Sequence, residues 1–358
     1  MRWNHSLSII LQAAGFLFMS TVIADMPAIS GKPVVDLPKL LAWPQYGSAV
    51  KPDITEPTAN TLNDLTGNIR DCDIVLSTAG NYHMALTELW PNYLAMFPES
   101  DRPRNWFFTT SPPVAPEQIA SHNLKIGNLQ SACRPQVAVG PKRLIERLTA
   151  SGVTDGVPVE VFVNRGSVLL VKKGNPKHIR GIWDLAGKNV TLATPNPEKE
   201  AGSFESYRDA IYAIAASDPQ PPAGLTADIL FNRIFNGVSG NPDKWLTGAR
   251  IHHREVPWSV AYGKADVGIL YYHLALHAVR QFPDKFEIVP LGGTVENPQP
   301  LPGNKPGSHY AVRIQGDWSA RQLLAREKLI EALTSPQFGT ILVKHGMQQL
   351  APKIAAAP

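Results

Sequence analysis

Cysteine is scarce in this chain: Cys72 and Cys133 are the only two among 358 residues, and they do not form a C-x-x-C pair. Charge is scarce as well. Charged residues make up 18% of the sequence and leave a formal net charge of +4 without any Lys/Arg run, so no nucleic acid and no polyanionic or membrane surface is implied as a partner. The local patterns of common catalytic centres are also missing. There is no G-x-S-x-G elbow, no P-loop, no GxGxxG after a strand and no HExxH. Catalysis would have to rest on dispersed residues such as His83, Glu205 or Cys133, whose spacing favours no reaction. The reading is therefore of a protein that is not an enzyme and needs no cofactor. Beyond the N-terminus no segment reads as transmembrane, and no repeat of fixed period occurs.

What is present begins with a hydrophobic content of 44%, enough for a full core in two domains. Arg2 and His5 precede the apolar run SLSIILQAAGFLFMSTVIA, which ends in small-residue spacing at Val22 and Ala24. That shape predicts a secretory signal over residues 1–24, cleaved after Ala24, and a periplasmic protein. A membrane anchor is the competing reading, but Gln12 and Ser20 interrupt a run already short of the roughly 20 apolar residues a span needs. With no cysteine at the junction, a lipoprotein is not indicated. Export favours pairing of Cys72 with Cys133; the alternative, a reactive thiol, would need an activating histidine nearby.

Residues 25–68 are rich in Pro, Ser, Thr, Asn and Asp around one apolar patch, LPKLLAWP, and read as an extended leader over the body. From Cys72 onward, strand and helix patterns alternate: DIVLST, YHMALTELWPNYLAMF, NWFFTT, QVAVG, PKRLIERLTAS. A long β-branched run, VEVFVNRGSVLLVKKGNP, follows, then NVTLATP, SFESYRDAIYAIAA, ADILFNRIFNGV, DVGILYY, FEIVPLGG, HYAVRIQ and a helical C-terminal region. Compact strands separated by helices predict α/β layers with parallel strands.

The patterns STAGNYHMAL, TTSPPVAPEQI, RPQVAVGPKRLIERL, NPEKEAGSFESY and AYGKADVGILYY, in this order and with these gaps, resemble the type II periplasmic solute-binding proteins of ABC importers, closest to the molybdate branch. The resemblance covers residues 71–358. It implies an α/β, two-lobed periplasmic-binding-protein type II fold, with a mixed, largely parallel sheet in each lobe and two hinge strands. Lobe one would comprise 69–162 and 272–358, and lobe two 163–271, with crossings near Phe162–Asn164 and Leu270–Tyr272. It also implies that Cys72 and Cys133 precede neighbouring parallel strands and can meet.

Ligands bind beyond the carboxyl ends of strands in open α/β sheets. By resemblance, the site would therefore draw on Thr78 and Asn81 at the first junction and on Thr110 and Ser111 at the second, where Pro112 and Pro113 remove donors. Ala201, Gly202 and Ser203 would serve at the third, next to Glu200, a carboxylate that disfavours an anion unless a cation compensates. His253 and Arg254 precede Tyr271 by 18 and 17 residues, the family's spacing for one more contact, and Tyr271 matches its ligand-donating tyrosine. The implied ligand is a small oxyanion of the molybdate or sulfate kind, taken up by a monomer that delivers it to a membrane permease. The alternative set Glu200, His253, Tyr271 and Tyr272 would suit a ferric or other hard metal ion, and a small organic anion stands third. His273 and His277 share one helix face at i, i+4 spacing without the pattern of a zinc motif.

Overall fold

Strands and helices alternate as the sequence pattern predicts. The computed structural model describes residues 39–40, 64–67, 72–79, 81–111, 114–120, 124–126, 129–131, 133–236, 244–248 and 251–348. The expected signal segment 1–24, most of the leader, Gly80, Pro112 and Pro113 lie outside the described residues, as do the side chains of Thr110 and Ser111.

The first sheet contains β2 (Asp64–Gly67), β3 (Ile74–Thr78), β4 (Trp106–Ser111), β7 (Val137–Pro141), β8 (Thr154–Val163) and β14 (Ser308–Ile314), in the order β2-β4-β3-β7-β14-β8. The second contains β1 (Lys39–Leu40), β9 (Ser167–Lys172), β10 (Leu192–Thr194), β11 (Trp245–Thr247), β12 (Val267–Tyr271) and β13 (Phe286–Val289), in the order β1-β11-β10-β12-β9-β13. Strands β5 (Leu124–Ile126) and β6 (Leu129–Ser131) form a separate antiparallel ribbon. Both large sheets are mixed. In the first, β4, β3 and β7 run parallel; in the second, β1, β11, β10 and β12 do. The parallel strands are covered on both faces, which is why β3 and β10 are buried along their whole length. Two short stretches of the leader supply edge strands, β1 beside β11 and β2 antiparallel to β4.

Helices α1 (His83–Ala95), α2 (Pro116–Ala120), α3 (Lys142–Ala150), α8 (Ala320–Leu333) and α9 (Pro336–Lys344) belong with the first sheet. Helices α4 (Ala201–Ser217), α5 (Ala227–Phe235), α6 (His252–Ala261) and α7 (Tyr272–Gln281) belong with the second. One apolar cluster joins Leu76, Phe108 and Leu329 of the first lobe to Leu170, Trp258 and Leu274 of the second, and separate clusters fill the far side of each sheet. Cys72 and Cys133 are bonded at an S–S distance of 2.05 Å just ahead of the neighbouring strands β3 and β7, as the resemblance implied.

The long run VEVFVNRGSVLLVKKGNP is two strands. The chain leaves the first sheet at Val163, turns through Asn164-Arg165-Gly166 and enters the second at Ser167. The return differs from the expectation that lobe one resumes at Tyr272. Strand β13 pairs antiparallel with β9, and α7 packs on β9, β12 and β13, so residues 272–289 stay with the second sheet and the chain returns between β13 and β14. Two buried asparagines tie the crossings together. Asn164 Oδ1 accepts from the N–H of Gly166 and of Gly307, each at 3.0 Å, while Asn304 accepts from Ser167 N–H at 2.8 Å and donates to Ser167 O at 2.9 Å. Each amide thereby satisfies backbone groups that a bend would otherwise orphan.

Candidate functional site

The helices that follow the parallel strands of the two sheets start close to one another, and two contacts locate the facing walls. Arg143 at the start of α3 reaches Glu205 on α4 at 3.3 Å, and the ring of His83 at the start of α1 lies 5.4 Å from that of His253 at the start of α6.

On the first wall, Thr78 is fully buried at the end of β3, and its hydroxyl donates to Tyr82 Oη at 2.7 Å. Burial pushes the Tyr82 phenol up, so it stays neutral. Asn81 sits between strand and helix at φ 54°, in the left-handed region that asparagine tolerates better than most residues, and is 5% exposed. The backbone of Thr110 and Ser111 ends β4 next to β3.

Three of the helix starts that follow parallel strands share one property, whereas α2 and α6 carry Glu117 and Glu255 in their first turns. No side chain of the N-cap residue caps α1, α3 or α4, whose N-caps are Tyr82, Pro141 and Glu200, and none of the three has an acid in its first turn. The helices that do not follow a parallel strand, α5, α8 and α9, are capped by Thr226, Ser319 and Ser335. An uncapped start leaves backbone N–H groups and the positive end of the helix dipole for an anion, and Lys142 and Arg143 add positive charge on α3.

On the second wall, Ala201, Gly202 and Ser203 form the first turn of α4, with Ala201 and Gly202 exposed. Glu200 does not stand open beside them. Its Oε2 accepts the backbone N–H of His252 at 2.8 Å, and its Oε1 lies 2.9 Å from His252 Nδ1. His252 Nε2 is 3.2 Å from the Tyr207 hydroxyl, which accepts from the backbone N–H of Tyr271 at 3.1 Å. This buried relay runs from the start of α4 to the end of β12. It binds the carboxylate that the sequence placed next to the anion, and it serves as the cap that α6 lacks.

Tyr271 is part-exposed, with its ring 4.8 Å from Tyr207 and 5.8 Å from His273, and its phenol reaches Ser206 on α4. Burial raises it above the ordinary phenol range. Tyr272 points elsewhere, donating to Val295 O at 2.7 Å. The alternative ferric set is thus divided: Glu200 serves His252, Tyr272 serves Val295, and His253 faces His83. Among the described residues no group of three or more His, Cys, Asp or Glu side chains could hold a metal ion. Arg254 is half-buried; burial lowers it and Glu255 partly restores it, so the two interact as neighbours on α6.

Sequence reading passed over Lys142 and Arg143, although their position directly behind the strand QVAVG is a legible signal. It also missed Tyr207 and His252, whose partners lie 45 to 64 residues away and leave no local trace.

The model of a family described as bacterial extracellular solute-binding protein matches residues 129–348. The chain belongs to that family. The fold of this solute-binding protein is shared by solved structures of low identity. The sulfate-binding protein SubI from Mycobacterium tuberculosis H37Rv is 18% identical with a TM-score of 0.51, over 79% of this chain and 88% of that one. Iron-bound HitA from Pseudomonas aeruginosa is 10% identical at 0.50, over 80% and 90%. The substrate-binding protein of an ABC transporter from Agrobacterium tumefaciens is 12% identical at 0.50, over 81% and 84%. No curated protein matches the sequence. The family is one of binding proteins, and no helix among the described residues is long and apolar enough to cross a membrane.

Proposed function

We propose that this solute-binding protein works in the periplasm, captures a small oxyanion of the sulfate or molybdate kind between its lobes, and hands it to the membrane permease of an ABC importer. The observation that carries the reading is the set of uncapped, acid-free helix starts at α1, α3 and α4, against the capped starts of α5, α8 and α9. Sulfate binding by SubI, which shares the fold, is consistent with it. Backbone N–H groups of both walls, the amide of Asn81, the hydroxyls of Thr110, Ser111 and Ser203, and Tyr271 are the proposed donors, with Arg143 and Arg254 supplying positive charge. Thr78 contributes by holding Tyr82. The mechanism is closure without chemistry: a ligand touching both walls only in the closed form stabilises that form by its differential affinity.

The experiment is native mass spectrometry with elemental analysis on protein purified without added ligand. It is followed by calorimetry with molybdate, tungstate, sulfate and ferric citrate. Heat from at least one of the three oxyanions is expected. A coloured protein that ignores all three and binds ferric ion would overturn the reading in favour of a metal carrier.

A further inference from the structure

Four imidazoles meet where α1 and α9 of the first lobe face α6 and α7 of the second. The ring of His83 lies 5.4 Å from that of His253 and, edge to face, 5.3 Å from that of His277. His345, just past α9, completes the group electrostatically with His83 and His277. Gly346 lets α9 come this close, because a Cβ there would lie 2.8 Å from the Tyr272 ring.

The carboxylates nearby are mostly committed. Glu88 on α1 is shared between Lys344 and His345 at 2.8 and 2.9 Å, and Glu200 is held by His252. Glu200 and Glu255 favour a charged His253, while Arg280 on α7 opposes a charged His277. His83 Nδ1 is buried without a hydrogen-bond partner among the described residues.

We propose that this cluster is an acid-operated release: protons taken up by His83 on one lobe and by His253 and His277 on the other make the facing walls repel, so acidification parts the lobes and frees the bound solute. The inference deepens the solute-binding reading, but its test needs no ligand.

Burial, then repulsion from neighbouring imidazoles, pushes His83 down to about 3 and lowers His277, while burial alone, opposed by Glu200 and Glu255, pushes His253 down to about 4. Hydrated in the open form, the same groups return toward about 6.5. A histidine whose closed-state value is depressed favours closure above the open-state value and withdraws that contribution as pH falls through it. For two such groups the closed-to-open ratio falls about a hundredfold between pH 7.5 and 5.5.

The test places spin labels on Glu146→Cys in α3 and Asp209→Cys in α4. Both positions are exposed, and the two native cysteines are locked in their disulfide. Interlobe distance distributions are then recorded in the full mature chain at pH 7.5 and 5.5, with far-UV circular dichroism at each pH. A shift from the short to the long distance with unchanged secondary structure is expected, and His83→Gln should cut the hundredfold change to about tenfold. A distribution that stays put, open or closed, overturns the proposal, as does unfolding at pH 5.5. Adding molybdate or sulfate to the same labelled protein tests the oxyanion reading separately: no response to either defeats that reading and leaves the pH result standing.

Discussion

Glu200 grips His252 twice, by its backbone N–H at 2.8 Å and at Nδ1 at 2.9 Å, with both side chains withdrawn from water. Removing the carboxylate orphans two buried polar groups on α6. Glu200→Ala should therefore lower stability by about 1–3 kcal/mol, and Glu200→Gln, which keeps an acceptor, by less. Urea unfolding of the three proteins measures this. Equal stability of all three would mean that water or another partner replaces the carboxylate.

The two adjacent tyrosines should separate cleanly. On the oxyanion reading Tyr271 donates to the ligand, so Tyr271→Phe should weaken oxyanion binding by about 1–3 kcal/mol, the loss for one partner of a buried hydrogen bond. Tyr272 donates to Val295 O instead, and Tyr272→Phe should leave affinity unchanged while costing about 1 kcal/mol of stability. Calorimetry with molybdate and sulfate, beside thermal unfolding, reads both effects. Equal loss of binding in the two variants would favour a shared metal site.

Reduction of the disulfide should be felt globally. The bond spans 61 residues, and in the chain-entropy model a loop of that length contributes about 4 kcal/mol by restricting the unfolded chain. Unfolding of the Cys72→Ser/Cys133→Ser protein should show a deficit near that size. A deficit below about 1 kcal/mol would mean that the reduced chain retains structure in the loop.

Two glycines make a controlled pair. Gly303 has φ +90°, and a Cβ there would lie 2.3 Å from the backbone of Ala213 on α4. Gly224 also has positive φ, +76°, but nothing lies within 4 Å. Gly224→Ala should cost about 1–2 kcal/mol from backbone strain alone. Gly303→Ala should cost about 1–3 kcal/mol more, since helix backbone cannot yield as a side chain can. Denaturant midpoints of the two variants should therefore be well separated.

Helix α6 shows where local reading failed. Its residues HHREVPWSVA hold Pro257 inside the helix and no apolar stripe, yet they are buried on nearly every side. Periodicity cannot reveal a helix whose environment has no polar face. The return crossing failed for a different reason. A strand's pattern reports burial but not its neighbours, so FEIVPLGG could be read as a strand without revealing that β13 pairs with β9.

What the sequence determined by itself was whatever depends on neighbours along the chain: the alternation of strand and helix, the two-lobed α/β class carried by ordered motifs, and the junctions after β3, β10 and β12 where a cleft would lie. Turn chemistry, apolar runs and helix starts are local, and a local physical cause leaves a local signature. Only the tertiary structure decided that Glu200 is bound to His252, that Tyr271 and Tyr272 point to different partners, and that His83 meets His253 and His277 between the lobes. Those contacts join residues tens to nearly two hundred positions apart. Their energies arise from burial and mutual orientation, which exist only once the two sheets have been brought face to face.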